Sequence, residues 1–153
     1  MLKIIFVCTG NICRSPMAEG ILRHRCKEMG RNDLIVSSMG IHGLTDSPAV
    51  DYAQDVCQDK DVDISSHVAR PIISEELQEV DLILCMESVH TKFLQTFFPW
   101  HRKKIFLLGA WPKDKARKSA IQDPMGGSIK DFRRIFNIIQ DHIDRILPLL
   151  LKK

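Results

Sequence analysis

The chain has 153 residues, which is enough for one well-packed domain and too few for two ordinary ones. Its contents of 44% hydrophobic and 27% charged residues are typical of a soluble globular protein. The net charge of +3 is too small to indicate nucleic-acid binding, although basic residues cluster in two runs, 101–104 and 113–118. We therefore predict one domain over residues 1–153, with no nucleic-acid partner.

The cysteines and the apolar runs indicate a cytoplasmic protein that does not bind membranes. The five cysteines are odd in number and lack the spacing of a disulfide framework. The N-terminal apolar run is too short for the hydrophobic region of a signal peptide, and no small-residue cleavage site follows it. A second run, 146–151, is too short to span a bilayer.

The first half of the chain alternates between strand and helix patterns. Residues 2–7 form an apolar run of strand length, and residues 18–29 carry apolar side chains at helical spacing. Residues 34–36 predict a second strand. A helix is predicted to begin at Ser47-Pro48, and a short helix is predicted to open at residues 74–77.

The second half continues this alternation. Residues 82–86 form a continuous apolar run, as expected of a strand buried on both faces, and residues 105–108 predict a fourth strand. Between them lies a helix that ends at Pro99, with an apolar face predicted to consist of Val89, Phe93, Leu94 and Phe97. Ser128 is predicted to cap a long final helix. The whole pattern predicts a doubly wound α/β domain, in which helices cover both faces of a four-stranded parallel sheet.

The residues after the first strand carry the clearest functional pattern. Cys8 and Arg14 flank a loop of five residues, and Pro16 suits the first position of a following helix. A loop at a helix N-terminus directs backbone N–H groups at an anion, and the helix dipole favours the negative charge. The ligand site of such a fold lies at the carboxyl ends of its strands, where Cys8 is placed. We therefore predict that the Cys8 thiolate attacks a tetrahedral oxyanion, most simply a phosphate monoester.

Other residues of the loop suit this chemistry. Arg14 offers a planar fork that matches two phosphate oxygens, and Ser15 can hydrogen-bond the sulfur of Cys8. Gly10 and Asn11 both tolerate unusual backbone conformations. The loop lacks the Lys-Ser/Thr of a nucleotide-binding P-loop. The alternative is structural: Cys8 would be a buried core thiol and Arg14 a surface residue.

Asp123 is the candidate general acid and base. A carboxylic acid can protonate the leaving oxygen, and its carboxylate can then activate water against a phosphocysteine. Asp123-Pro124 followed by two glycines is also ordinary turn chemistry, and the residues alone leave both interpretations open.

Residues 8–19 resemble the phosphate loop of the low-molecular-weight protein tyrosine phosphatases, and Asp123-Pro124 matches the general acid of that family. The similarity covers nearly the whole chain. It implies Cys8, Arg14 and Asp123 as catalytic residues, no cofactor and no metal. The phosphate-binding residues that it implies are Thr9, Gly10, Asn11, Ile12, Cys13 and Ser15.

The same resemblance implies supporting residues outside the loop. His67 resembles a histidine that bonds Asn11, and Ser38 resembles a serine that braces the loop. His42 and Leu44 lie in a segment that forms one wall of the substrate cleft, and Met125 occupies the position after Asp-Pro.

Cys13 has three interpretations: packing, a metal site shared with Cys8, or a redox partner of Cys8. A metal is disfavoured because the two cysteines have no second pair of ligands and Arg14 would repel the cation. The resemblance implies a reversible Cys8–Cys13 disulfide that protects the nucleophile from over-oxidation.

Two positions point to different substrates. Met125-Gly126-Gly127 replaces the aromatic residues that sandwich the substrate ring in many tyrosine-specific members, and glycines here resemble the bacterial members. A bacterial branch that hydrolyses phosphoarginine carries threonine at the position of Ile12. Because Ile12 belongs to the loop that touches the substrate, we favour phosphotyrosine proteins as substrates, with a bacterial tyrosine kinase as a candidate partner. A monomer or weak dimer is expected.

Three alternatives remain at this point. One is a protein-arginine phosphatase of the same fold. A thiol-dependent arsenate reductase would need two further cysteines on a mobile segment, whereas Cys57 and Cys85 fall in predicted regular structure. A phosphoprotein-binding module without activity would be expected to have lost Cys8 or Asp123.

Overall fold

The computed structural model describes residues 1–114 and 119–152. Its elements are, in chain order, β1 (Leu2–Cys8), α1 (Arg14–Glu28), β2 (Leu34–Gly40), α2 (Asp51–Gln58), α3 (Ser74–Glu79), β3 (Leu82–Cys85), α4 (Ser88–Phe97), β4 (Ile105–Leu107) and α5 (Ile129–Leu150). A 3₁₀ helix over Pro99–Lys104 leads into β4. Residues 115–118, which belong to the second basic run, lie outside the described residues.

The four strands form one parallel sheet in the order β2-β1-β3-β4, so the predicted α/β fold is confirmed. Strand β1 lies inside the sheet, and its side chains alternate between the two faces. Ile4 and Phe6 pack into a core that includes residues of α1, α2 and α5. Ile5 and Val7 pack into a second core with residues of α3 and α4. Helices therefore cover both faces.

Helix α5 is the longest element, and its start agrees with the prediction. Asp131 accepts a hydrogen bond from the backbone N–H of Ser128 at 2.9 Å, which is half of a capping box. Its apolar face is buried against the first core. In the part of the chain that the structure describes, no helix is both long and apolar enough to cross a membrane.

Helix α2 starts later than the sequence predicts. It begins at Asp51, because Val50 before it is extended and residues 47 and 50 form tertiary hydrogen bonds. The backbone N–H of Val50 donates to the carbonyl of Ile12 at 2.9 Å, and the carbonyl of Ser47 accepts from Ala69 at 2.7 Å. The first bond holds the segment against the loop after β1, the second holds it against residue 69, and together they override the local Ser-Pro helix signal.

The predicted apolar face of α4 is wrong. Of its four residues only Leu94 is buried, whereas Val89 and Phe97 are 53% and 60% exposed. The helix instead buries His90, Thr91 and Leu94. The reason is that α4 turns His90 toward the loop after β1, which rotates the most apolar side of the helix into solvent.

Candidate active site

The loop after β1 lies at the carboxyl edge of the sheet, beside the start of α1. Helix α1 begins at Arg14, two residues before Pro16, so Pro16 is not the first helical residue. The first four N–H groups of a helix have no partner inside it, and a proline at this point therefore costs no hydrogen bond.

A small cavity of about 180 Å³ opens at this edge of the sheet. Side chains from distant parts of the sequence meet in it, since the segment before α5 closes over the loop. Its lining residues are Cys8, Thr9, Gly10, Ile12, Cys13, Arg14, Asp123 and Met125. The structure thus brings the three predicted catalytic residues to one space.

Hydrogen bonding orients Ser15 toward the sulfur of Cys8. The Ser15 Oγ lies 2.9 Å from the Cys8 Sγ. The Asn11 Nδ2 donates to the same Oγ at 2.8 Å, and the Arg70 backbone N–H, which donates to Asn11 Oδ1 at 3.0 Å, fixes the orientation of this amide. Because the Ser15 oxygen is already an acceptor, its hydrogen is free to point at the sulfur, where it would stabilise negative charge.

Asn11 is the centre of a buried network behind the loop. Its Nδ2 also donates to Ser38 Oγ at 2.9 Å, and Ser38 in turn donates to Glu19 Oε1 at 2.5 Å. His67 Nε2 donates to the carbonyl of Asn11 at 2.6 Å. Ser38 and His67 therefore both contact Asn11, a contact that the sequence predicts for His67, whereas for Ser38 it predicts only that the serine braces the loop. The contact of Glu19 with Ser38 was not predicted.

The glycine that the loop requires is Gly40 and not Gly10. Asn11, at φ 59°, takes the left-handed conformation, whereas Gly10 has no positive φ. A Cβ at Gly10 would lie 3.4 Å from Ile12 Cγ1, which is nearly ordinary contact. A Cβ on Gly40, at the end of β2, would lie 2.5 Å from the carbonyl oxygen of Thr9. Close packing of the loop therefore requires glycine at position 40.

Arg14 is buried, with an exposed fraction of 2%, and its guanidinium is held from two sides. Its Nη1 donates to the Glu87 carboxylate and to the carbonyl of Ile121, the latter at 2.7 Å. Its Nη2 lies 3.7 Å from Asp123 Oδ2. A buried guanidinium needs such partners, and they also fix the plane of its fork.

His90 holds the opposite side of the loop from Asn11. The backbone N–H of Glu87 donates to His90 Nδ1 at 3.0 Å, so the proton of the neutral ring lies on Nε2, which donates to Thr9 Oγ1 at 2.9 Å. Burial, and then the charge of Arg14, lower the pKa of His90 to about 4. Neither Glu87 nor His90 was predicted from the sequence. They form a capping box at the start of α4, but Glu-x-x-His is not the Ser/Thr-x-x-Glu/Gln pattern that indicates such a box in a sequence.

Asp123 combines the two interpretations that the sequence left open. Its Oδ1 accepts the backbone N–H of Met125 at 3.0 Å, which is turn geometry. Its side chain is nevertheless 44% exposed and borders the cavity beside Arg14. Asp123 can therefore form its turn and still be positioned for proton transfer in the cavity.

The segment with His42 and Leu44 lies beside the loop but does not line the small cavity. The backbone N–H of His42 donates to Thr9 at 2.9 Å, and that of Leu44 donates to Gly10 at 3.2 Å. Both side chains are exposed. A place in a wider cleft wall remains a prediction for these two residues.

All five cysteines are free thiols and buried. Burial, with the nearby Cys8, raises the pKa of the Cys13 thiol, and burial raises the pKa of Cys57 to about 12. Cys85 lies fully buried in β3. Over residues 1–114 and 119–152, no group of three or more His, Cys, Asp or Glu side chains is arranged to hold a metal ion.

Comparison with known families identifies the family to which this chain belongs. The family model for low molecular weight phosphotyrosine protein phosphatase matches residues 3–153. The chain belongs to this family. The family assignment suggested by residues 8–19 and by Asp123-Pro124 is thus confirmed.

Relatives of two named activities are similar to the chain. The low molecular weight protein-tyrosine-phosphatase Etp of Escherichia coli K12 is 36% identical over 138 residues, covering 90% of this chain and 87% of Etp. The protein-arginine-phosphatase of Bacillus subtilis is 32% identical over 152 residues, covering 99% and 96%. The crystal structure of the low molecular weight protein tyrosine phosphatase from T. tengcongensis superposes with a TM-score of 0.90 at 31% identity, covering 97% and 99%.

Proposed function

We propose that this family member is a protein tyrosine phosphatase that works through a phosphocysteine and requires no cofactor. One observation carries the proposal: Cys8, Arg14 and Asp123 line a single cavity of about 180 Å³ at the carboxyl edge of the sheet. A nucleophile, a guanidinium fork and a carboxyl group are the parts that hydrolysis of a phosphate monoester needs.

In the first step, the sulfur of Cys8 forms a bond to phosphorus while the bond from phosphorus to the leaving oxygen breaks. Asp123 donates its proton to that oxygen. Arg14 and the N–H groups of the loop hold the phosphoryl oxygens, whose charge is spread in the transition state.

In the second step, the Asp123 carboxylate takes a proton from water, and the water oxygen attacks phosphorus. The sulfur–phosphorus bond breaks, and the electron pair returns to Cys8. The O–H of Ser15, 2.9 Å from the sulfur, would stabilise the departing thiolate.

Two cavity residues are compatible with an aromatic substrate, although Met125 stands where many tyrosine-specific members carry an aromatic residue. Ile12 and Met125 both line the cavity, so the space above the phosphate site has apolar walls that suit a phenol ring. The alternative is phosphoarginine, favoured by the similarity to the protein-arginine-phosphatase of Bacillus subtilis over 99% of this chain.

Phosphate release from a phosphotyrosine peptide and a phosphoarginine peptide, side by side in EDTA, tests the proposal. Cys8→Ser is the control. Preference for phosphotyrosine supports the proposed substrate, and preference for phosphoarginine replaces it with the alternative. Activity that survives in Cys8→Ser would overturn the phosphocysteine mechanism.

The proposal extends to the cellular setting. We propose that the protein acts in the cytoplasm, as a monomer or weak dimer, on phosphotyrosine proteins, with a bacterial tyrosine kinase as candidate partner.

Two observations argue against arsenate reduction: Cys57 lies in α2 and Cys85 in β3, both fully buried, whereas a relay needs cysteines on a mobile segment.

Cys13 is proposed to protect the nucleophile. Peroxide would oxidise the Cys8 thiolate to a sulfenic acid, which would condense with the Cys13 thiol, form a disulfide and release water. Both cysteines line the cavity. We expect a dithiol to restore most activity after peroxide treatment of the wild type and much less in Cys13→Ser. Permanent loss in the wild type would contradict this role.

A further inference from the structure

The most apolar side of α4 faces solvent. Val89 and Phe97 are 53% and 60% exposed, and Trp100, just beyond the helix, is 70% exposed. Phe93, which is half-buried against the second core, lies between the first two on the same side of the helix, and its ring centroid is 4.8 Å from that of Phe97. We call Val89, Phe93, Phe97 and Trp100 the α4 surface; the ring of Trp100 packs edge-on against Phe98, the residue after Phe97. Single exposed apolar residues are common, whereas a row of large ones marks a binding surface.

The α4 surface begins at the rim of the candidate active site. The ring of Phe93 packs edge-on against that of His42, with centroids 6.3 Å apart, and the backbone of His42 is bonded to Thr9 of the phosphate loop. At the start of α4, Glu87 contacts Arg14. A polypeptide whose phosphorylated residue enters the cavity would therefore meet this row of side chains as it leaves.

Positively charged residues neighbour the α4 surface along the chain. Lys92 on α4 and Arg102 and Lys103 beyond Trp100 are exposed. Among the residues that the structure describes, none of these three cations forms an ion pair. An apolar row with a basic border is complementary to a chain that carries apolar and acidic side chains.

We propose that the α4 surface binds the segment of the phosphoprotein substrate that flanks the phosphorylated residue, and that this segment is apolar and acidic. The inference rests on the proposed function and adds a specificity determinant to it. A second copy of the chain is the less suitable occupant. In a symmetric dimer through this face, the cations of both copies would come together.

The length of the α4 surface determines how long the test peptides must be. Residues 89 to 97 span about 12 Å along a helix, which an extended chain covers with about four residues. Two phosphotyrosine peptides with six flanking residues on each side are therefore sufficient. One carries Leu, Phe, Asp and Glu in its flanks, and the other carries Ser and Gly. Para-nitrophenyl phosphate, which has no flanks, reports the chemistry alone.

The wild type is expected to hydrolyse the apolar–acidic peptide with a kcat/KM about tenfold above that of the Ser/Gly peptide, mainly through KM. The double variant Phe97→Ser/Trp100→Ser should lose this ratio and keep the wild-type rate on para-nitrophenyl phosphate. Met29→Ser/Leu149→Ser is the matched control, because these apolar side chains are also exposed, at 52% and 40%, on other helix ends. The control should retain the ratio.

A second variant keeps the test independent of folding defects. Lys92→Glu/Arg102→Glu changes only exposed charges and should reduce the preference and its sensitivity to salt. An unchanged peptide ratio in either double variant would overturn the proposal. So would a wild-type dimer that dissociates in Phe97→Ser/Trp100→Ser while the peptide ratio stays the same, since the occupant would then be a second copy.

Failure of the proposed function has a different signature. A wild type that cleaves neither phosphotyrosine peptide but cleaves phosphoarginine peptides would refute the tyrosine assignment. Phosphoarginine peptides with the same two flanks would then be compared by their kcat/KM values. A preference for the apolar–acidic flanks would support the role of the α4 surface, and no preference would overturn it.

Discussion

The phosphate loop and the segment that carries Asp123 meet at one cavity but are held in opposite ways. In the loop, Asn11 is fully buried and Arg14 is 2% exposed, and both have partners from several elements. Asp123 and Met125 are 44% and 47% exposed, and Asp123 bonds within its own turn. The anion site is thus preorganised, whereas the proton donor meets solvent.

This difference separates two kinds of contribution to catalysis. Groups that stabilise charge act best when they are fixed before the substrate arrives, since no reorganisation is then needed during reaction. A group that gives and later takes a proton needs access to both the leaving oxygen and water. We therefore expect substitutions in the loop to lower stability together with activity, and substitutions at Asp123 to lower activity alone.

Arg14→Lys should have the largest effect. Lysine keeps the charge but cannot present two parallel donors to phosphate or bond both Glu87 and the Ile121 carbonyl. We expect kcat/KM to fall by about 10³-fold, with a lower melting temperature. Phosphate release and thermal unfolding measure the two effects. Retention of activity within tenfold would show that charge alone suffices, and that the planar fork is unimportant.

Asp123→Asn should come next and should spare the fold. Removing a general acid costs about 10²-fold or more in rate, and the effect grows as the leaving group becomes more basic. The variant should therefore lose more activity on phenyl phosphate than on para-nitrophenyl phosphate. Its melting temperature should match that of the wild type, because the side chain is 44% exposed. Equal losses on both esters would refute proton donation by Asp123.

Asn11→Ala should reduce both stability and activity, but activity less than Arg14→Lys. It removes the amide that bonds Ser15, Ser38 and the Arg70 backbone, and leaves a left-handed φ of 59° without asparagine. We expect a loss of about 2 kcal/mol in the free energy of unfolding. Asn11→Gly is the matched variant, since glycine accepts this φ. If both variants are equally unstable, the amide network and not the backbone conformation accounts for the loss.

The same contrast explains what the sequence could predict. The strand, loop and start of α1 are local, so the spacing of Cys8, Arg14 and Ser15 was enough to predict the loop. Gly40 and His90 act on it from β2 and α4, and Glu19 of α1 reaches it only through Ser38 of β2. Only the order of strands in the sheet shows that these elements meet. The prediction of the apolar face of α4 was wrong for a related reason. Periodicity finds apolar residues, but the contact of His90 with Thr9 decides which side of the helix is buried.

His90 provides the smallest and most specific test of the loop's rigidity. Its ring is neutral in the fold, because burial, and then the Arg14 guanidinium, lower its pKa to about 4, while Glu87 and Asp123 oppose the shift. An unfolded histidine titrates near pH 6.5, so the unfolded chain binds the proton first. The stability that His90 contributes is therefore present above about pH 6.5 and is lost as the pH falls toward 4.

Two replacements separate the bonds of this ring. In His90→Asn, the amide can still accept the Glu87 N–H but does not reach Thr9, whereas His90→Gln can reach Thr9. Between pH 7.5 and pH 5, the melting temperature of each variant should fall less than that of the wild type, since neither replacement side chain titrates. At pH 7.5, kcat should fall a few-fold in the Asn variant and less in the Gln variant, with KM nearly unchanged. The same pH dependence of melting in all three proteins would refute the neutral state of His90 in the fold.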